Sequence, residues 1–82
     1  MERISHLDFT LKLFGIVGNA QDEGFGEDRV KSDSLNLLRI YMGQDNYEDL
    51  RMATMGWLAT REIGLTEAER IEMHKGNPEY FI

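Results

Sequence analysis

The sequence predicts a mainly α, compact bundle of about four helices, folded as one domain over residues 1–82. Three observations carry this reading. Apolar residues recur at helical spacing through residues 47–63. The only proline is Pro78, so nothing earlier forbids helix. Glycines and cap-forming residues punctuate the chain at helix-length intervals. The alternative is an α+β domain with an N-terminal strand or hairpin.

That alternative comes from the first element. Leu7-Asp8-Phe9-Thr10-Leu11-Lys12-Leu13 alternates strictly, as a half-buried strand does. Ile4, Leu7, Leu11 and Phe14 also fall on one helical stripe, which would face the core. Ser5-x-x-Asp8 resembles a capping box with Asp in place of Glu. Helix over roughly 5–18 is favoured, because a strand would need a partner. The nearest candidate, Phe25–Val30, is weak.

Residues 19–32 read as an acidic, glycine-containing loop. The second helix is expected to start at Asp33 or Ser34, both good N-caps, and to stop at Gly43. It is apolar nearly all round, which marks a buried helix. Asn46 is placed to cap a third helix, Tyr47–Ile63, and Gly64 to end it as the residue just past the C-cap. Thr66-Glu67-Ala68-Glu69 is a capping box that starts a fourth, ending near Lys75-Gly76. Residues 77–82 read as a short, extended, apolar tail.

Composition narrows the function classes. With 82 residues the core is small, and 41% hydrophobic content argues against disorder. The absence of cysteine removes disulfides, thiolate metal sites and thiol nucleophiles, and favours a reducing, cytoplasmic compartment. Residues 1–6 lack the apolar run of a signal peptide, and no stretch approaches a membrane span. A net charge of −6 repels phosphate backbones, so nucleic acid is not an expected partner. Regularly spaced arginines argue against a one-sided acidic array that would mimic DNA.

No motif carries defined chemistry. Ser5, His6 and Asp8 have the letters of a triad, but helical neighbours point in different directions. His6 and His74 lie far apart in sequence, and Arg70 sits one turn before His74, so no metal is expected. In the last turn of a helix, His74 instead complements the dipole. Asp22, Glu23, Glu27, Asp28 and Asp33 do not follow the EF-hand pattern. Gly24-Phe25-Gly26 lacks the Lys-Ser/Thr of a phosphate loop. The third and fourth helices resemble a helix-turn-helix only loosely, and the would-be reading helix is acidic. Neither a catalytic residue nor a cofactor is expected.

The informative constellation is on the third helix, plotted at about 100° per residue. Tyr47, Leu50, Ala53, Trp57 and Leu58, with Thr54 between them, form a core stripe. Met52, Met55, Ala59 and Ile63 form a second, narrower one. Two apolar faces mean either a central helix with neighbours on both sides or a helix that meets another chain. The expected function is therefore non-enzymatic protein–protein interaction by a small accessory, regulatory or inhibitory protein. Its candidate contacts are Met52, Met55, Ala59 and Ile63, with Phe25 on the loop and Tyr80 and Phe81 on the tail. A two-fold homodimer would bury the surplus most simply. The alternative function is a homo-oligomer holding a small anionic ligand at subunit interfaces through Arg39, Arg51 and Arg61.

Overall fold

The computed structural model describes residues 3–23 and 26–81. Helix α1 (His6–Glu23) begins where Ser5 supplies a cap, its Oγ accepting a hydrogen bond from the Asp8 N–H at 3.1 Å. Residues 7–13 are therefore helical, and no strand occurs among the described residues. α1 buries Phe9 and Leu13, and half-buried Ile16 packs behind them. This corrects the expected stripe. Of Ile4, Leu7, Leu11 and Phe14, only Ile4 is buried. The reason is that Ile4 lies outside the helix, so the helical period does not fix its direction.

The side chains of Gln44 and Asn46 set the direction of Ile4 instead. The Gln44 amide accepts from the Ile4 N–H at 2.9 Å and donates back to the Ile4 carbonyl at 3.0 Å. Asn46 Nδ2 donates to the same carbonyl at 3.1 Å. Arg3 pairs with Asp45 at 2.7 Å, and this pairing holds the Asp45 carboxyl below its ordinary range. The incoming chain thus has its backbone polar groups satisfied without a sheet.

Helix α2 (Glu27–Ile40) starts well before Asp33, with Gly26 as its N-cap. The expected loop over 19–32 is overturned: α1 runs to Glu23, and only 24–26 lie between the helices. Its polarity belongs to helix ends. Glu27 and Asp28 sit in the first turn of α2, where carboxylates complement the helix dipole. Arg29 bonds Asp33 one turn on at 3.1 Å. Nor is α2 buried all round. Val30, Ser34, Leu35 and Leu38 face inward, while Ile40 is half exposed. Phe25 lies outside the described residues.

Helix α3 (Tyr47–Thr60) has Asn46 at its N-cap, but the Asn46 side chain serves Ile4 rather than the helix. It ends earlier than Ile63. The Ile63 N–H reaches the Leu58 carbonyl at 2.9 Å and the Glu62 N–H reaches Ala59 at 3.0 Å, a Schellman ending. The left-handed residue this ending requires is Glu62, at φ 60°, not Gly64. Ile63 folds back onto the core beside Leu58, and that apolar contact fixes the position of the ending. An L-residue in this region is disfavoured by about 1 kcal/mol. Glu62→Gly is therefore expected to raise stability by about 1 kcal/mol, read as a higher urea midpoint at unchanged slope.

Helix α4 (Glu67–His74) carries the expected capping box. Thr66 Oγ1 accepts from the Glu69 N–H at 3.2 Å, and Glu69 Oε1 accepts from the Thr66 N–H at 2.8 Å. Two ion pairs fasten α4 to α2: Lys31–Glu69 at 2.6 Å and Arg39–Glu72 at 2.6 Å. The tail is not extended. Residues Pro78–Phe81 make a 3-10 turn, with the Asn77 amide donating to the His74 carbonyl at 2.9 Å. Phe81 lies against Gly43, whose φ is 85° and where an added Cβ would stand 3.4 Å from the ring.

Tyr47 ties these elements together. Its ring is fully buried, and its hydroxyl donates to the Met73 carbonyl at 2.6 Å. Around it pack Phe9, Leu13, Leu35, Leu38, Leu50, Leu58 and Met73. Burial pushes the phenol up to about 12. Below pH 10 both folded and unfolded chains keep the proton and stability is undiminished. Between pH 10 and about 12 only the unfolded chain ionises, so roughly 2–3 kcal/mol of stability should be lost there. Urea titrations at pH 8 and pH 11 should differ by about half of this loss, because pH 11 lies midway through the window, and Tyr47→Phe should remove most of the difference.

Candidate functional site

With Phe9 and Leu13 turned inward, α1 presents its other apolar stripe to solvent. Leu7 is 67% exposed, Leu11 56% and Phe14 52%. Beside them on α3, Met52 is 58% exposed. Between the two helices runs an open groove of about 520 Å³, walled by Thr10, Leu13 and Phe14 on one side and Met52, Ala53, Gly56 and Trp57 on the other. No Asp, Glu, Lys or Arg lines it among the described residues.

The groove is built on a rigid aromatic pair. The Phe14 and Trp57 rings meet edge to face, with centroids 5.0 Å apart. Trp57 also packs against Val30 of α2, and the Arg61 guanidinium lies 5.8 Å above its ring centroid. The Trp57 Nε1–H is buried and has no hydrogen-bond partner among the described residues. Such a group costs free energy that packing must offset, so the indole is held by shape rather than polarity.

The second stripe expected on α3 is divided by the fold. Met52 lines the α1–α3 groove. Met55, Ala59 and Ile63 line a separate, smaller depression of about 240 Å³ with Leu65 and Arg70. There Met55 and Ile63 are partly buried against the core, and Ala59 is exposed. Met55 also receives the Arg51 Nη1–H at 3.1 Å. Tyr80 and Phe81 are more than half exposed at the far end, where Tyr80 stands edge to face with His74 at 5.8 Å. The predicted contacts are thus spread over three places.

The three arginines do not share a site. Arg39 clasps both oxygens of Glu72, at 2.6 and 3.1 Å, and donates to Asn36 Oδ1 at 2.6 Å. That hydrogen bonding raises the guanidinium above its ordinary value and holds the Glu72 carboxyl below the usual carboxylate range. Arg51 clasps Glu48 in the same two-pronged way, its Nε reaching Oε2 at 3.0 Å, and this depresses Glu48 likewise. Arg61 is the one over Trp57. Among the described residues no group of three or more His, Asp or Glu side chains is placed to hold a metal ion. Ser5 of the Ser-His-Asp letters is occupied in capping α1. No helix among the described residues is long and apolar enough to cross a membrane.

Sequence reasoning assigned Leu7, Leu11 and Phe14 to the interior and so missed the principal exposed face. A signal was present: Phe9, Leu13 and Ile16 also follow helical spacing. α1 therefore has two apolar faces, and the fold buries one and leaves Leu7, Leu11 and Phe14 on the other exposed.

No family model matches the chain, and no curated protein or solved structure compared with it matches either.

Proposed function

We propose that this chain is a non-enzymatic protein–protein interaction domain, acting as a small accessory or regulatory protein by occupying a partner's surface. Its docking face is the α1–α3 groove and the ridge beside it. The observation that carries the reading is the exposed apolar face of Leu7, Leu11, Phe14 and Met52, with a groove beside it that no described charged side chain lines. Contiguous apolar patches beyond a few hundred Å² are uncommon on monomers and mark interaction sites. The groove's shape suits an apolar helix side by side with α1, the helix-in-groove mode of recognition. A cysteine-free chain of this kind is at home in a reducing, cytoplasmic compartment.

The anion-binding alternative is not carried forward, because Arg39 and Arg51 already hold carboxylates of this chain in bidentate pairs. Such pairs leave little of the guanidinium fork for a second anion.

Hydroxyl-radical footprinting tests the proposal. Met52 and Phe14 should be modified at least several-fold more slowly in a dialysed extract of the native host than in dilute purified protein. Tyr80, exposed to a similar degree but on a different face, is the control and should be unaffected. Dialysis removes small ligands, so protection reports a macromolecule. Equal modification of Met52 and Phe14 in the two samples would end this reading.

A further inference from the structure

Three glycines that nothing in this chain requires point to what covers the face. Gly15 and Gly18 lie inside α1 and Gly56 inside α3. A Cβ built on any of the three meets no atom within 4 Å among the described residues. None has a positive φ. Glycine inside a helix is destabilising, and neither backbone geometry nor internal packing explains these three. All three border the exposed face. Leu7, Leu11, Phe14 and Gly18 follow one another at spacings of one helical turn, Gly15 sits one turn past Leu11, and Gly56 floors the groove. Missing side chains at such positions let a second helix approach the backbone closely.

Charge narrows the choice of helix. The chain carries a net −6, which would draw a basic partner to its carboxylates. The face offers no such carboxylate in its groove. Between residues 7 and 18 the only charges are Asp8, about a sixth of a turn from Leu11, and Lys12, about a quarter turn from it, and the two are opposite in sign. An equally acidic chain can therefore dock here without a net repulsion across this stripe.

Shape completes the case. One chain holds both a ridge, Leu7, Leu11 and Phe14 with Gly18 continuing the same stripe, and a groove lined by the small residues Ala53 and Gly56. A two-fold axis lays each ridge in the other copy's groove, the self-complementarity an isologous contact requires. The four exposed side chains present roughly 400 Å² of apolar area, taking on the order of 150–200 Å² for each whole side chain. A standard interface takes about 800 Å² per partner, so they supply its apolar centre and leave His6, Thr10 and Thr60 for the rim.

We infer that the α1–α3 face is the interface of a two-fold homodimer in which α1 packs closely on α1 of a second copy. The inference rests on the docking face proposed above and names its occupant. Sedimentation equilibrium of the full chain from 1 to 200 μM tests it, beside Leu11→Glu and Gly18→Leu. The wild-type chain should be dimeric over most of that range. Leu11→Glu should weaken association at least 100-fold while helical circular dichroism stays unchanged. Gly18→Leu should do the same and also raise the melting temperature of the monomer, since the side chain enters open space on a helix. A merely unfolded variant cannot give that last result. A wild-type chain monomeric at 200 μM, or a Gly18→Leu chain that dimerises as tightly as wild type, overturns the dimer. Footprinting then separates the two readings. A monomer whose Met52 and Phe14 are still protected in extract retains the docking face for a different protein, and a monomer without protection loses both.

Discussion

Gly76→Ala should cost about 3 kcal/mol or more, from the addition of one methyl group. A Cβ at this position falls 2.3 Å from Tyr47 Cζ and 2.4 Å from its Oη, inside any real contact distance. Backbone strain is not the cause, since Gly76 has no positive φ. The ring has nowhere to go. It is fully buried, and its hydroxyl is held by the Met73 carbonyl. The Gly76 carbonyl in turn accepts from the Gly43 N–H at 2.7 Å, so retreat of residue 76 would break the contact between the α2–α3 turn and the end of α4. For a chain of this size total stability is on the order of 4–12 kcal/mol, so the loss is a large share of it. Urea denaturation gives the cost. A double-mutant cycle with Tyr47→Leu gives its origin: with the ring removed, Gly76→Ala should cost about 1 kcal/mol or less. An equal cost in both backgrounds would mean that the clash is not with Tyr47.

The sequence made the fold legible where signals are local. The capping box Thr66–Glu69 needs only residues within one turn, and it starts α4 as expected. The start of α3 at Tyr47 is also legible, although the Asn46 side chain that marks it bonds Ile4 instead of capping the helix. Two boundaries fail for local reasons. Acidic residues around 22–28 read as a loop although the same residues suit helix ends, as Glu27 and Asp28 show. Gly64 reads as the helix stop, but the Ile63 N–H bonds the Leu58 carbonyl, which places the stop two residues earlier with Glu62 in the left-handed region. Burial was harder to read because it is not local. Two stripes compete on α1 and two on α3, and periodicity cannot say which one meets the neighbouring helices. The Gln44 clamp on Ile4 spans 40 positions of sequence and leaves no pattern to read. Likewise the candidate face arises from how α1 and α3 lie together, so among the described residues Met52 alone of the predicted contacts lines its groove.

Phe9→Ala and Leu11→Ala, two residues apart on α1, decide which stripe is core. Were the simple reading of the helix correct, Leu11 would be the costly one. The fold says the reverse. Phe9 is wholly buried against Tyr41, with ring centroids 6.1 Å apart, and it joins the cluster around Tyr47. Its truncation removes the transfer free energy of a buried aromatic and leaves a cavity between α1 and α2, a loss of about 3–5 kcal/mol. Leu11 is more than half exposed, and alanine is the better helix former. In dilute solution its truncation should change stability by about 0.5 kcal/mol or less. Chemical denaturation at sub-micromolar chain concentration keeps association out of the comparison. Repeating it at higher concentration adds information, because a contact between copies stabilises the folded state by an amount that grows with the logarithm of chain concentration once that exceeds the dissociation constant. The cost of Leu11→Ala should then grow with concentration while that of Phe9→Ala keeps its large intramolecular part. A large, concentration-independent cost at Leu11 would instead place that side chain in the core and remove the exposed face on which the docking argument stands.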